Sequence, residues 1–148
     1  MNPRGRLLGV DYGSVRIGLA VTDPDRKIAF PLATYTRRGQ NEDARHFQEI
    51  VKEEAISQIV VGLPVHLDGR EGTKALEARA FGQWLAETTD RPVVCWDERF
   101  TTVEAEEHLW SAGLTHRQRK ARRDKLAAQI LLQSYLDAGC PKEPRLDG

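Results

Sequence analysis

Apolar residues near the start of the chain come in two short runs that are separated by a polar turn. The first run, 7–10, ends in Asp11, and the second covers 17–21. Two strands joined by a tight turn, a β-hairpin, fit this spacing. Turn residues follow at 23–25, and the weaker segment 28–35 supplies a third strand. The beginning of the sequence therefore predicts an antiparallel meander of three strands.

After the meander, the apolar spacing becomes that of helices alternating with buried strands. Apolar side chains recur at three- and four-residue steps over 41–55, behind the capping residue Asn41, and again over 72–88. Each helix is followed by a continuous apolar run, 58–62 and then 92–96, which is typical of buried parallel strands. The order β-β-β-α-β-α-β predicts a mixed five-stranded sheet, because right-handed crossovers add two parallel strands to the meander.

Two further helices complete the predicted fold. Thr101 and Glu104 have capping-box spacing and start a short helix, and a longer helix over 115–138 places its apolar residues on one face. Helices therefore flank the sheet in an α/β fold. The length of 148 residues favours one domain, over 1–140. Residues 141–148 are expected to form a flexible tail.

Composition narrows the class of protein. Hydrophobic residues make up 40% and charged residues 30%, which excludes disorder and fibrous repeats. No apolar run approaches the roughly 20 residues of a membrane helix, and the start lacks a signal-type apolar region, so we expect a cytoplasmic protein with no membrane partner. Cys95 and Cys140 have no zinc-site spacing, which predicts reduced thiols, with Cys95 buried in a strand.

Positive and negative charges are segregated along the chain, although the formal net charge is zero. Residues 116–125 carry six basic side chains and one acid, whereas 97–107 carry five acids and one base. The first segment, with Arg119, Arg122 and Arg123, is a candidate for holding the phosphates of a nucleic acid in a salt-sensitive manner. A solvated helix end would have the same composition.

Three acids from separate segments are the candidates for chemistry. Asp11 closes one apolar strand, Glu98 follows another, and Asp124 lies within the basic segment. Each has an ordinary structural interpretation: a turn-capping acid, an ion pair in a solvated loop and a paired surface acid, respectively. The ends of these strands lie at one edge of the sheet, where ligand sites form.

Acids that converge at such an edge repel each other unless cations lie between them. Oxygen ligands suit Mg²⁺ or Mn²⁺. Two such ions about 4 Å apart activate a water and stabilise the leaving oxygen in phosphodiester hydrolysis. The sequence therefore predicts a metal-dependent nuclease in which Asp11, Glu98 and Asp124 are both metal ligands and catalytic residues.

Three glycines near the first strand have predicted roles in the backbone. Gly13 is expected to supply a positive φ in the tight turn of the hairpin. Gly9 and Gly18 are expected to let another backbone or a phosphate approach closely, because glycine has no side chain.

Four stretches of the sequence resemble the YqgF (RuvX) family, described both as Holliday junction resolvases and as nucleases of precursor 16S ribosomal RNA. They are DYGSVRIGLA at 11–20, VGLP at 61–64 with Asp68-Gly69, DERFTTVEA at 97–105, and DKLAA through QSYL at 124–136. Four motifs in the family's order make the match specific. They cover almost the whole chain.

The resemblance implies a ribonuclease H-like fold, with Asp11 and Asp124 as metal ligands, Glu98 as the third acid, and Arg16 and Arg99 in contact with phosphate. It also implies a cytoplasmic role in maturing the 5′ end of precursor 16S ribosomal RNA. Junction resolution is the alternative. The RuvC resolvases place their second acid after the fourth strand, and here that strand ends without one.

Two other function classes share some of these features. An Asp-x-Gly hairpin also opens actin-like ATPases and sugar kinases, but those proteins close two such domains around a nucleotide and this chain supplies one. A factor that only binds ribosomal RNA during subunit assembly would keep the basic segment and use its acids structurally.

The expected partners are structured or precursor ribosomal RNA or branched DNA. Either a monomer or a homodimer is expected, and a symmetric cut of a four-way junction requires the dimer.

Overall fold

The computed structural model describes residues 5–64, 68–98 and 115–141. In these ranges the elements follow the predicted order, with bounds that differ by a few residues at most: β1 (Arg6–Asp11), β2 (Arg16–Thr22), β3 (Ala29–Thr36), α1 (Gln40–Glu53), β4 (Ile56–Leu63), α2 (Thr73–Thr89), β5 (Val93–Asp97) and α3 (His116–Asp137). The short helix predicted from Thr101 and the end of the predicted tail, 142–148, lie outside the described residues.

The five strands form one mixed sheet in the order β3-β2-β1-β4-β5. β1 pairs antiparallel with β2, and β2 pairs antiparallel with β3. On its other side β1 pairs parallel with β4, which in turn pairs parallel with β5. This confirms the predicted meander and the two added parallel strands.

Helices cover both faces of the sheet, which explains why β1 and β4 appear as continuous apolar runs. On one face, α1 and α2 pack onto the sheet through a core that includes Phe47 and Leu85. On the other face, α3 packs through Leu132 and Tyr135. Burial on both faces fixes β1 in the centre of the molecule. Asp11, the last residue of β1, is therefore held in a defined position.

The start of α1 differs from the prediction. The helix begins at Gln40, and the residue that caps it is Gly39, whose φ of 111° is one that glycine adopts readily. The predicted cap at Asn41 is therefore wrong: the helix is capped two residues earlier, at Gly39, and no side chain caps it.

Two expectations from composition can be compared with the described residues. No helix in those ranges combines the length and apolar character needed to cross a bilayer. Cys95 and Cys140 are both reduced thiols, as expected. The predicted burial of Cys95 is wrong: it is half-buried, because β5 lies at the edge of the described sheet.

A buried acid in the first turn of α1 gives the stability of the fold a pH dependence. Asp43 is fully buried and accepts hydrogen bonds from Tyr35 Oη at 2.7 Å, Arg37 Nε at 3.2 Å and the backbone N–H of Arg38 at 2.9 Å. Burial alone would raise the pKa of Asp43, but these donors outweigh burial and lower it. A carboxyl with a lowered folded pKa stabilises the fold above its unfolded pKa, and this stabilisation is lost as the pH falls through the folded value.

Asp43→Asn should therefore lower the free energy of unfolding by about 2 kcal/mol at pH 7, and the difference from wild type should shrink below about pH 4. Urea denaturation at a series of pH values measures it. Asp25→Asn, which changes an exposed acid, is the matched control and should have little effect. A difference that stays constant from pH 7 to pH 3 would contradict this account.

Candidate active site

Strand direction brings two of the candidate acids to one edge of the sheet. Asp11 is the last residue of β1, and Glu98 directly follows β5. Only β4 separates these two parallel strands, and its final residue, Leu63, pairs with Asp97. β2 runs the other way, so Arg16, its first residue, lies at the same edge.

The carboxyl groups of Asp11 and Glu98 are hydrogen-bonded to each other. Burial, supported by the charges of Asp11 and Asp97, raises the pKa of Glu98 to about 9. Burial also raises the pKa of Asp11, although the hydrogen bond from Glu98 lowers it. The negative charge of Asp124 raises the pKa of Asp11 further, and the positive charge of Arg123 lowers it. At neutral pH the pair therefore holds a proton, which Glu98 donates to Asp11.

Asp124, in the third turn of α3, lies near this pair but is bound to a different partner. Its Oδ2 accepts a hydrogen bond from Arg16 Nε at 2.8 Å. Its charge is close enough to Asp11 to raise the pKa of that residue. Within 5–64, 68–98 and 115–141, no three acid, histidine or cysteine side chains are arranged to hold a metal ion as they stand. Asp11 and Glu98 are thus brought together, and Asp124 is held beside them by an arginine.

A glycine sets how closely α3 approaches the sheet. Gly18 pairs with Asp11 across β1 and β2, and a Cβ at Gly18 would overlap the backbone carbonyl of Asp124. Gly9 similarly lies against α3, where a Cβ would come 2.9 Å from the Cβ of Leu132. The predicted close approach of another backbone is confirmed at Gly18. The close packing of α3 on Gly18 places Asp124 next to the end of β1.

A second glycine, which sequence reasoning missed, leaves space for Glu98. A Cβ at Gly62 would overlap Glu98 Oε1 and would come 2.9 Å from Leu131 Cδ2. A glycine inside an otherwise apolar strand was the available signal. The prediction for Gly13 is wrong, because its φ is not positive; it is instead required by the carbonyl oxygen of Arg16, which a Cβ would overlap.

Basic residues precede and follow Asp124 on α3. Arg119 and Arg123 are exposed, and Arg122 is half-buried. The charge of Arg123 is near enough to lower the pKa of Asp11. Arg99, which the family resemblance places against phosphate, lies outside the described residues. Half-buried acids therefore lie close to an exposed cation, an arrangement suited to a phosphate-containing ligand and divalent ions.

Sequence comparison places the chain in a family. A family model described as "RuvX: Holliday junction resolvase" matches residues 5–138. The chain belongs to the RuvX family. A RuvX relative from Rhodopirellula baltica is 47% identical over 90% of this chain and 78% of its own length. Another, from Caldanaerobacter subterraneus, is 42% identical over 90% of this chain and 96% of its own. Both are named "Putative pre-16S rRNA nuclease".

Solved structures confirm the ribonuclease H-like fold of this RuvX chain. RuvC of T. thermophilus, in complex with a Holliday junction substrate, has a TM-score of 0.58 at 17% identity, over 93% of this chain and 98% of that one. Fowlpox virus resolvase, also in a complex with Holliday junction DNA, has a TM-score of 0.58 at 10% identity, over 92% of this chain and 99% of that one. At 17% and 10% sequence identity, the structural similarity shows a shared fold and nothing further.

Proposed function

We propose that this RuvX protein is a metal-dependent nuclease that processes the 5′ end of precursor 16S ribosomal RNA in the cytoplasm. The observation that carries the proposal is the hydrogen-bonded pair of Asp11 and Glu98, two acids with raised pKa values beside a third, Asp124. The names of the relatives support the substrate.

The acids fit a divalent cation, since they offer only oxygen ligands and three carboxyl groups share one proton, on Glu98, and one guanidinium, on Asp124. Asp11 and Glu98 would hold Mg²⁺ or Mn²⁺, with Asp124 as the third ligand. Such ions, when bound, supply an activated water and stabilise the leaving oxygen of a phosphodiester. Glu98 must release its proton for this, because its pKa is about 9 in the metal-free protein.

The central position of β1 gives Asp11 a fixed orientation, and the hydrogen bond to Glu98 aligns the second acid with it. The basic residues on α3, Arg119, Arg122 and Arg123, would contact phosphates on both sides of the scissile bond. Arg99 would add to this contact. The protein then positions the substrate through its backbone and not through base recognition.

Arg119→Gln and Arg122→Gln should each weaken RNA binding, because each removes a phosphate contact. Each should also lower the slope of log affinity against log salt by about 1, with the largest loss of affinity at low salt. Fluorescence anisotropy over a salt series measures both quantities. Lys52→Gln, which removes an exposed charge on α1, should leave the slope unchanged. Equal slopes for wild type and both arginine variants would remove these residues from the interface.

The function itself is tested with a labelled precursor 16S RNA fragment and a four-way DNA junction, each incubated with Mn²⁺ or with chelator. We expect metal-dependent cleavage of the RNA at a defined position. Faster cutting of the junction would favour the resolvase, which the description of the family model suggests, and would require a homodimer in solution. RNA binding without cleavage in either condition would identify an assembly factor.

A further inference from the structure

The ion pair between Arg16 and Asp124 lies inside the proposed metal site. Arg16 Nε is 2.8 Å from Asp124 Oδ2, and the two residues are 108 positions apart in the sequence. Their side chains are 35% and 21% exposed, so solvent screens the pair only in part. Gly18 fixes the approach of α3 at this point, since the carbonyl of Asp124 lies directly against it.

One candidate ligand, Asp124, is therefore already paired with a cation that the chain itself supplies. The guanidinium of Arg16 donates to Oδ2 of that carboxylate. A carboxylate oxygen in a charge-assisted hydrogen bond cannot give the same lone pair to a cation. Asp124 is nevertheless close enough to Asp11 for its charge to act on that residue.

We propose that Arg16 competes with the divalent ion for Asp124, so that the ion binds this carboxylate more tightly once Arg16 has moved away from Oδ2. The inference rests on the proposed function, since it concerns the same metal site. Arg16 begins β2, at the edge where substrate would lie. Any phosphate that draws Arg16 from Asp124 must raise the affinity for metal, and metal must raise the affinity for that phosphate by the same factor.

The competition is measured by Mn²⁺ titration, with free Mn²⁺ detected by electron paramagnetic resonance and no nucleic acid present. Arg16→Gln should bind Mn²⁺ about fivefold more tightly than wild type, or better. Arg6→Gln is the matched control. Arg6 carries the same charge and pairs with Glu54, but it lies at the first residue of β1, at the opposite end of that strand from Asp11. It should leave the affinity unchanged.

A double-mutant cycle separates competition from the general effect of removing a positive charge. In an Asp124→Ala background, the gain from Arg16→Gln should disappear, because there is no carboxylate left to release. A gain of the same size in both backgrounds would overturn the proposal. Arg16→Met, which keeps the aliphatic stem, must reproduce the gain if melting curves show that the Gln variant is poorly folded.

A second readout follows Arg16 itself. In metal-free protein its bonded Nε–H should give a slowly exchanging NMR signal, and saturating Mg²⁺ should abolish that protection. Retention of the signal at saturating Mg²⁺ would overturn the inference and leave the nuclease assignment intact. Mn²⁺ affinity that is absent in wild type, or unchanged in Asp11→Asn, would instead overturn both the metal site and this competition.

Discussion

Asp11→Asn and Glu98→Gln should each lower the rate of metal-dependent cleavage by about 100-fold or more while the chain stays folded. Each substitution removes a charged ligand and leaves a side chain of almost the same shape. Single-turnover cleavage of precursor RNA in saturating Mn²⁺ measures the rate. Glu87→Gln, on the exposed side of α2, is the matched control and should cleave at the wild-type rate.

The same variants separate catalytic acids from structural ones through the pH dependence of stability. Glu98 has a folded pKa of about 9 against an ordinary value of 4.5, so in chelator it weakens the fold as the pH rises between these values. Glu98→Gln should remove this loss, and its stability relative to wild type should increase from pH 5 to pH 8. A large destabilisation of either variant at pH 8 would mean that the acids maintain the fold.

Gly18→Ala should destabilise the protein by about 3 kcal/mol or more and abolish cleavage. The added methyl group would overlap the backbone carbonyl of Asp124, and a helix backbone cannot move without taking α3 off the sheet. Thermal unfolding and cleavage assays both report on this variant. A stable, active Gly18→Ala protein would show that α3 is not held against β2 at this point.

Gly62→Ala is the variant to compare with Gly18→Ala. Its added methyl group would meet the ends of side chains, whereas the methyl group at Gly18 would meet backbone. Glu98 Oε1 and Leu131 Cδ2 can both move, so the loss of stability should be much smaller than for Gly18→Ala. Cleavage should still fall, since Glu98 is displaced from Asp11. The two glycines therefore separate damage to the fold from damage to the site.

The order of the elements could be predicted because the sheet is covered on both faces. Apolar runs with strand length and apolar stripes with helical spacing each have one place in such a fold, and right-handed crossovers leave few alternatives. Local details were harder to predict. The cap at Gly39 depends on a backbone conformation that the neighbouring Asn41 obscured, and the half-burial of Cys95 depends on β5 being an edge strand.

The convergence of Asp11 and Glu98 could be predicted from topology, since both follow parallel strands. The ion-pair partner of Asp124 could not be predicted from the sequence. Its pairing with Arg16 joins positions 108 residues apart and depends on the depth to which α3 packs on Gly18. Helical spacing suggested a partner for Asp124 on its own helix, whereas the described structure gives it one on β2.

The nuclease mechanism requires the three acids to share divalent ions, and a crystal structure with Mn²⁺ tests this directly. Anomalous scattering should place Mn²⁺ in contact with Asp11 and Glu98, with Arg16 moved away from Asp124 and Asp124 as the third ligand. Mn²⁺ bound elsewhere, or a site in which Asp11 and Glu98 keep their mutual hydrogen bond at saturating metal, would contradict the nuclease mechanism.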